Sequence, residues 1–233
     1  MDIHFQEAQG TPGSLAYKRL YRWGQLVLDL LFPPFCVGCG RVDSLWCARC
    51  QHELDQIPLG APARVVAPLA EVAATAVHEG SIQHLIWALK FDNGRSLAAG
   101  PLGQRLNWRL QALGWPVDLL VPVPLHPTRL AERGYNQAEL LAAAVAQQTG
   151  IPLALQALWR TRATRSQVGL TAAERRDNMA DVFQADPNAC THRTVVLIDD
   201  VYTTGSTLSA AAQALQAAGA GTVYGLTVTA ARG

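Results

Sequence analysis

The sequence has almost no excess of charge of either sign. Nineteen Lys and Arg stand against eighteen Asp and Glu, a formal net charge of +1, and only 16% of the residues are charged. No overall basic surplus announces a nucleic acid or an anionic membrane, so any such partner has to be met by a local patch. A long apolar run is also missing. The stretch LVLDLLFPPF at 26–35 is too short to span a bilayer, carries Asp29 and ends in prolines. Tyr17, Lys18, Arg19 and Arg22 precede it, but no small-residue cleavage site of a secretory signal follows. There is no repeat of solenoid period, no low-complexity tail and no GxxxxGK(S/T) segment, which excludes an ordinary P-loop for a nucleoside triphosphate. What remains is a 233-residue chain, 49% hydrophobic, long enough for one sizeable core and a small appendage. It reads as a soluble cytoplasmic protein, not an integral membrane one.

Cysteines are few but concentrated. Cys36-x-x-Cys39 and Cys47-x-x-Cys50 lie within fifteen residues, and Cys190 stands alone far downstream. Two such pairs suit a tetrahedral four-thiolate zinc site, since each pair turns back on itself and presents two sulfurs to one ion, and Gly38 and Gly40 ease the turns. A pair of disulfides or a redox CxxC are the alternatives; the missing leader and the closeness of the pairs favour zinc. Four protein ligands leave no open position, so this zinc is read as structural. Cys190 reads as an ordinary small residue in a loop.

Periodicity then divides the chain. Leu15, Leu20, Trp23, Leu26, Val27, Leu30 and Leu31 fall at helical spacing ahead of the cysteines. The Pro- and Gly-rich segment near 55–65 reads as a linker between an N-terminal module (1–60) and a larger domain (64–233). In that domain helices are expected at 81–91, at 95–113 with an interruption at Gly100 and Pro101, at 137–150 and at 207–220. Strands are expected at 118–124, 153–160, 194–200 and 222–231. Strands and helices alternating at these lengths predict an α/β domain with a mostly parallel central sheet flanked by helices.

The strongest signal is VVLIDDVYTTGSTL at 195–208. Val195 to Ile198 suit a buried strand, with Asp199 and Asp200 expected at its end; Thr203, Thr204, Gly205, Ser206 and Thr207 form the entry to the next helix. Ligands of parallel sheets bind beyond the carboxyl ends of strands. Free N–H groups at a helix start, a glycine and four hydroxyls make a phosphate cradle, and it holds no lysine. Two carboxylates beside a phosphate suit a ligand that also offers vicinal hydroxyls, as ribose 5-phosphate does. The plainer alternative is a helix cap at Ser206 or Thr207 with two aspartates softening a strand end.

The run from Ile198 to Thr207 resembles the phosphoribosyl pyrophosphate (PRPP) loop of type I phosphoribosyltransferases. Together with the double CxxC, IWALKFDNGRSLA (86–98), VPVPLHPTRLAERGYNQAELLA (121–142) and RTRATRSQVGLTAAERRDNMADVF (160–183), it is similar to the ComF family of competence-associated proteins. The resemblance runs from about Leu30 to the end of the chain. It implies a type I phosphoribosyltransferase-like fold with an N-terminal four-cysteine zinc module. It implies that Asp199 and Asp200 hold the ribose hydroxyls, and that Val201 and Thr203 to Thr207 form the 5-phosphate loop. Arg133, with Gly134, Tyr135 and Asn136, would face the pyrophosphate; otherwise Pro122 and Pro124 simply stiffen a loop and Arg133 is a solvated charge. Segment 160–183, with Arg160, Arg162, Arg165, Gln167, Arg175, Arg176 and Asn178, matches a closing flap or else is the solvated face of an exposed helix.

The implied reaction is pentosyl transfer from PRPP, through an oxocarbenium-like state at C1. Mg²⁺ bound with PRPP, Arg133 and Lys90 would neutralise the departing pyrophosphate, while Asp199 and Asp200 position the sugar. No set of edge-reading polar groups for an acceptor base stands out in 64–113. The family name implies a role in DNA uptake during natural transformation, with competence proteins as possible partners. The competing reading is a non-catalytic module that senses PRPP or a nucleotide and contacts single-stranded DNA or a protein through the zinc module. There Trp46, Arg41 and Arg49 offer an aromatic and two cations, although Trp46 also suits the small core of such a module.

Overall fold

The computed structural model describes residues 33–42, 44–91, 94–161 and 182–232. The helix expected around 15–31, and all but the two ends of segment 160–183, lie outside these residues. The chain forms two compact units, Met1–Cys47 and Ala48–Gly233. In the first, the described part is a tight turn: Phe35 bridges Val42, the Cys36 N–H donates to the Arg41 carbonyl, and Gly40 adopts φ +73°.

The second unit begins with helix α1 (Ala48–Asp55) and continues through strands β1 (Arg64–Val66) and β2 (Leu69–Val77) to helix α2 (Gly80–Phe91). Helices α3 (Arg95–Leu97) and α4 (Gly103–Leu113) flank a π-helical turn at Ala98–Leu102. The expected interruption is there: Gly100 leaves the helical region at φ −86°, ψ −113°, just before Pro101. Strand β3 (Leu119–Pro122), helices α5 (Pro127–Arg133) and α6 (Gln137–Thr149), and strands β4 (Leu158–Arg160) and β5 (Phe183–Ala185) follow. Helix α7 (Pro187–Cys190), strand β6 (Val195–Tyr202), helix α8 (Ser206–Ala217) and strand β7 (Val223–Ala230) complete it.

The main sheet has the order β1-β2-β7-β6-β3, with β1 antiparallel to β2 and the other neighbours parallel. Strands covered on both faces carry continuous apolar runs, and Val195 to Ile198 are fully buried. On one face Leu208, Ala211, Ala212 and Leu215 of α8 pack with Val121, Val195, Leu197 and Val223, and Leu158 and Phe183 extend this cluster. Helices α4 and α6 lie against each other, and α6 also packs on β3 and β6. This is the expected α/β architecture of a mostly parallel sheet flanked by helices.

Three expectations need correction. The strand foreseen at 153–160 is only Leu158–Arg160, paired antiparallel with β5 in a separate two-stranded sheet. Leu153 makes a single bridge to Leu120 before the chain turns away, so the apolar run is shared between two environments. The loop after VPVP contains a helix, α5, because His126 accepts from the Thr128 N–H and Pro127 occupies the first turn. Finally, β6 runs past the aspartates to Tyr202, since Val201 and Tyr202 still pair with Thr229 and Ala230 of β7.

The segment read as a linker is held by arginines within the second unit. Arg105, fully buried on α4, donates to the carbonyls of Leu54, Ile57, Pro58 and Thr75 at 2.8, 3.0, 3.3 and 3.0 Å. Arg109 donates to the carbonyls of Leu59 and Ala61. A buried guanidinium is tolerable only when such acceptors replace its water, and burial lowers the Arg105 pKa below the usual arginine value.

Candidate functional site

Beyond the carboxyl ends of β3 and β6 lies a cavity of about 510 Å³. Its lining joins Asp199, Asp200, Thr203 and Thr207 to Lys90 of α2, Arg129 and Arg133 of α5, and Arg160 of β4. Four cations against two carboxylates make the site a seat for a polyanion.

Gly205 sets the shape of the loop that enters α8. It stands at the N-cap of α8 with φ +78°, and a Cβ there would come within 2.7 Å of the Tyr202 hydroxyl oxygen. Among the described residues no side chain caps α8, so the reading of Ser206 or Thr207 as a simple cap does not hold. The first N–H groups of this twelve-residue helix therefore lack a side-chain acceptor, the condition that suits an anion. Thr204 and Ser206 hydrogen-bond each other through their hydroxyls at 2.8 Å, which steadies the loop, while Thr203 and Thr207 line the cavity.

The two aspartates are inequivalent. Asp200 receives the Lys90 ammonium at 3.0 Å. Half-buried Asp199 accepts the Asp200 N–H at 2.8 Å, and its carboxyl is pushed up to about 7, by burial first and then by the neighbouring Asp200 charge. Lys90 and Arg160 pull the other way without cancelling this. The wall thus carries one paired carboxylate and one that shares its proton near neutral pH. A sugar hydroxyl can donate to either, and both are hard oxygen ligands suited to Mg²⁺.

Arg133 and Arg160 are positioned by neighbouring side chains. Arg133 donates to the Gln137 side-chain oxygen at 3.1 Å and lies over the Phe91 ring. Arg160 lies over Phe183, and burial together with nearby Arg129 lowers its pKa to about 10. The buried Asn136 amide donates to the Val123 carbonyl while its oxygen accepts the Ala138 N–H, so one side chain fixes the end of β3 and the start of α6. Tyr135 donates to the Leu89 carbonyl at 2.5 Å, tying this loop to α2.

All the residues singled out in sequence at Lys90, Arg133, Asp199, Asp200, Val201, Thr203 and Thr207 meet in this cavity. Thr204, Gly205 and Ser206 shape the loop beside it. Of the arginines in 160–183, Arg160 is placed there, and the others lie outside the described residues. Sequence reasoning missed Arg129 and His78. Arg129 is four residues before Arg133, a spacing that becomes meaningful once Pro127 is read as a helix start. His78 follows β2 and its Nδ1 lies 2.8 Å from the Thr229 hydroxyl; burial and then Lys90 lower its pKa. Nothing in the local pattern marks it, because β2 reaches the site only through pairing with β7.

The cysteines form a second centre. The Sγ atoms of Cys36, Cys39, Cys47 and Cys50 all lie within 4.8 Å of one another, and none of the chain's cysteines is in a disulfide. Tetrahedral zinc with bonds of about 2.3 Å spaces its sulfurs by about 3.8 Å; Cys39 and Cys47 stand 3.7 Å apart. The Cys47 N–H donates to the Cys36 sulfur at 3.4 Å, the kind of bond that stabilises a thiolate ligand. The cluster can hold a zinc ion. Cys190 is separate: buried at the end of α7, it donates to the Asp186 carbonyl, and burial pushes its thiol up.

Among the described residues no helix is long and apolar enough to cross a membrane. No family model matches the chain. It is 31% identical over 189 residues to competence protein F of Haemophilus influenzae, covering 80% of each chain. It is 32% identical over 197 residues to the DNA utilization protein YhgH of Escherichia coli O157:H7, covering 81% of this chain and 85% of that one. Competence protein ComFC of Bacillus subtilis is 35% identical over 97 residues, 42% of this chain and 38% of its own. Among solved structures, glutamine PRPP amidotransferase from B. subtilis is 24% identical, covers 58% of this chain and 26% of its own, and gives a TM-score of 0.41. The extent of the likeness to competence protein F and YhgH, both matched over most of their length, places the chain in the ComF family.

Proposed function

We propose that the cavity beyond β6 binds PRPP and that the chain is a phosphoribosyltransferase-type protein serving DNA uptake. One observation carries the reading: an uncapped helix start at Gly205, a carboxylate pair and four cations line or border one cavity. PRPP presents a phosphate, a diol and a pyrophosphate in that order.

The 5-phosphate takes the N–H groups of the α8 start with Thr203 and Thr207. Asp199 and Asp200 hold the ribose hydroxyls, which requires Lys90 to release Asp200 and turn to the ligand. Arg129, Arg133 and Arg160 take the pyrophosphate. Mg²⁺ entering with PRPP, held from the protein side by Asp199 and Asp200, would supply further positive charge. In transfer, the C1–O bond to pyrophosphate breaks with its electron pair leaving on the phosphate oxygen. A bond from the acceptor to C1 forms, and the acceptor loses a proton. The four cysteines hold a structural zinc in a module ending near residue 60, in a cytoplasmic protein. The names of the relatives, which concern competence and DNA utilization, support the role in DNA uptake.

Calorimetric titration of PRPP with Mg²⁺ into the wild type and into Asp199→Asn/Asp200→Asn tests the site. Binding lost in the variant supports it, and a folded, zinc-loaded wild type that ignores PRPP overturns it. Pyrophosphate release on addition of candidate bases then separates a transferase from a protein that only senses PRPP. Salt-sensitive binding of single-stranded DNA, lost with the zinc module's Arg41 and Trp46, would support the sensing alternative.

A further inference from the structure

A second cavity, of about 580 Å³, adjoins the first and shares Lys90, Arg129 and Arg133 with it. Its other lining residues are Phe91, Glu132 and Tyr135. Three cations against one carboxylate again favour an anion, but here two rings join them. Phe91 and Trp87 sit one turn apart on α2 with ring centroids 5.5 Å apart, and they are 59% and 56% exposed. Two large exposed aromatics on one helical stripe are uncommon unless something covers them. The arginines are already arranged as planar partners of rings: Arg133 stands 5.3 Å over Phe91 and Arg95 stands 4.5 Å over Tyr135. Such contacts hold guanidinium planes ready for a flat ligand.

From this we infer that the second cavity is a subsite for a nucleoside monophosphate, its base against Phe91, with Trp87 beside that ring at the cavity's border and tilted 46° to it, and its phosphate on Arg129 and Arg133. An apolar partner would not match the three cations, and a bare phosphate would leave the rings unused. The inference rests on the reading of the first cavity as a ribose phosphate site, since the two cavities draw on the same cations. Because Arg129 and Arg133 serve both cavities, a nucleotide there and the pyrophosphate of PRPP compete for them.

The test compares AMP with ribose 5-phosphate, which differ at C1, where AMP carries the base and ribose 5-phosphate a hydroxyl. Both are titrated calorimetrically into the wild type, Trp87→Ala/Phe91→Ala and Asp199→Asn/Asp200→Asn, with circular dichroism to verify folding. Both aromatic side chains are exposed, so their removal leaves the core intact. AMP is expected to bind at least tenfold more tightly than ribose 5-phosphate, the scale of one base stacked on an aromatic. That advantage disappears in the aromatic variant and persists in the aspartate variant. Equal affinities, or an advantage that the aspartate variant loses and the aromatic variant keeps, overturn the subsite. So does binding of a short oligothymidylate with none of AMP, or a dimer that the aromatic variant abolishes. A PRPP titration of the same wild-type sample reads failure of the first cavity separately.

Discussion

The cysteine cluster and the cavity beyond β6 solve the problem of gathered charge in opposite ways. Four thiolates within 4.8 Å would repel one another until an ion neutralised them, and an ion with four protein ligands would have no vacancy for chemistry. In the cavity, Lys90 pairs with Asp200, Asp199 holds its proton to about pH 7, and Arg133 rests on Phe91 and Gln137. Lys90, Asp200 and Arg133 there have partners that a ligand can replace. A closed centre confers stability without turnover; a provisional one gives up some stability for exchange.

Breaking the closed centre should have the largest effect. Cys47→Ser replaces one of the four clustered sulfurs and leaves the residue's backbone N–H in place, so zinc content by elemental analysis should fall from one equivalent to near zero. Structural zinc contributes about 10 kcal/mol or more in small modules, so proteolysis should then cut the region around the cysteines while residues from β1 onward stay resistant. Retention of zinc by the serine variant would show that the site is not the closed four-thiolate centre described.

Next comes the buried Arg105. Arg105→Met keeps the side chain's length and deprives four carbonyls of their shared donor, for a loss of about 3–5 kcal/mol in denaturant unfolding. A loss under 1 kcal/mol would mean that water replaces the guanidinium. Smaller again is Gly205→Ala. It forces an L-residue to φ +78° and presses a methyl against the Tyr202 ring, for about 1–2 kcal/mol of stability. On the proposal that this loop takes the 5-phosphate, PRPP affinity should fall about 100-fold, and unchanged affinity would remove the α8 start from the site.

How far these features can be read in sequence follows the distance over which each is assembled. The four clustered cysteines lie within fifteen residues, and the run from Ile198 to Thr207 spans ten, so the spacing of each is legible in the sequence. The long apolar strands and alanine-rich helices are also plain, because burial on both faces of a parallel sheet leaves unbroken runs. His78 and Arg129 could not be seen in that way. His78 enters the site because β2 pairs with β7 rather than with a sequence neighbour, and Arg129 because a proline-started helix replaces a loop. The end of β6 was misplaced for a related reason: pairing with β7, not apolar character, keeps Val201 and Tyr202 in the strand.

The finest comparison is between the two aspartates themselves. Asp199 is raised from 3.8 to about 7, so between about pH 4 and pH 7 the folded protein binds more protons than the unfolded chain. Stability must then decline as pH rises through that window, opposite to a carboxylate whose pKa folding lowers. Asp199→Asn keeps the shape and removes the titration. The variant should match the wild type near pH 4 and exceed it by about 1–2 kcal/mol near pH 8, a value discounted for solvent in the open cavity. Asp200→Asn should show no such gain, because it leaves the Lys90 ammonium without its partner. Thermal melts of both variants across this range decide the matter. Parallel curves for wild type and Asp199→Asn would mean that Asp199 is ionised throughout, and the inequality of the two carboxylates would be lost.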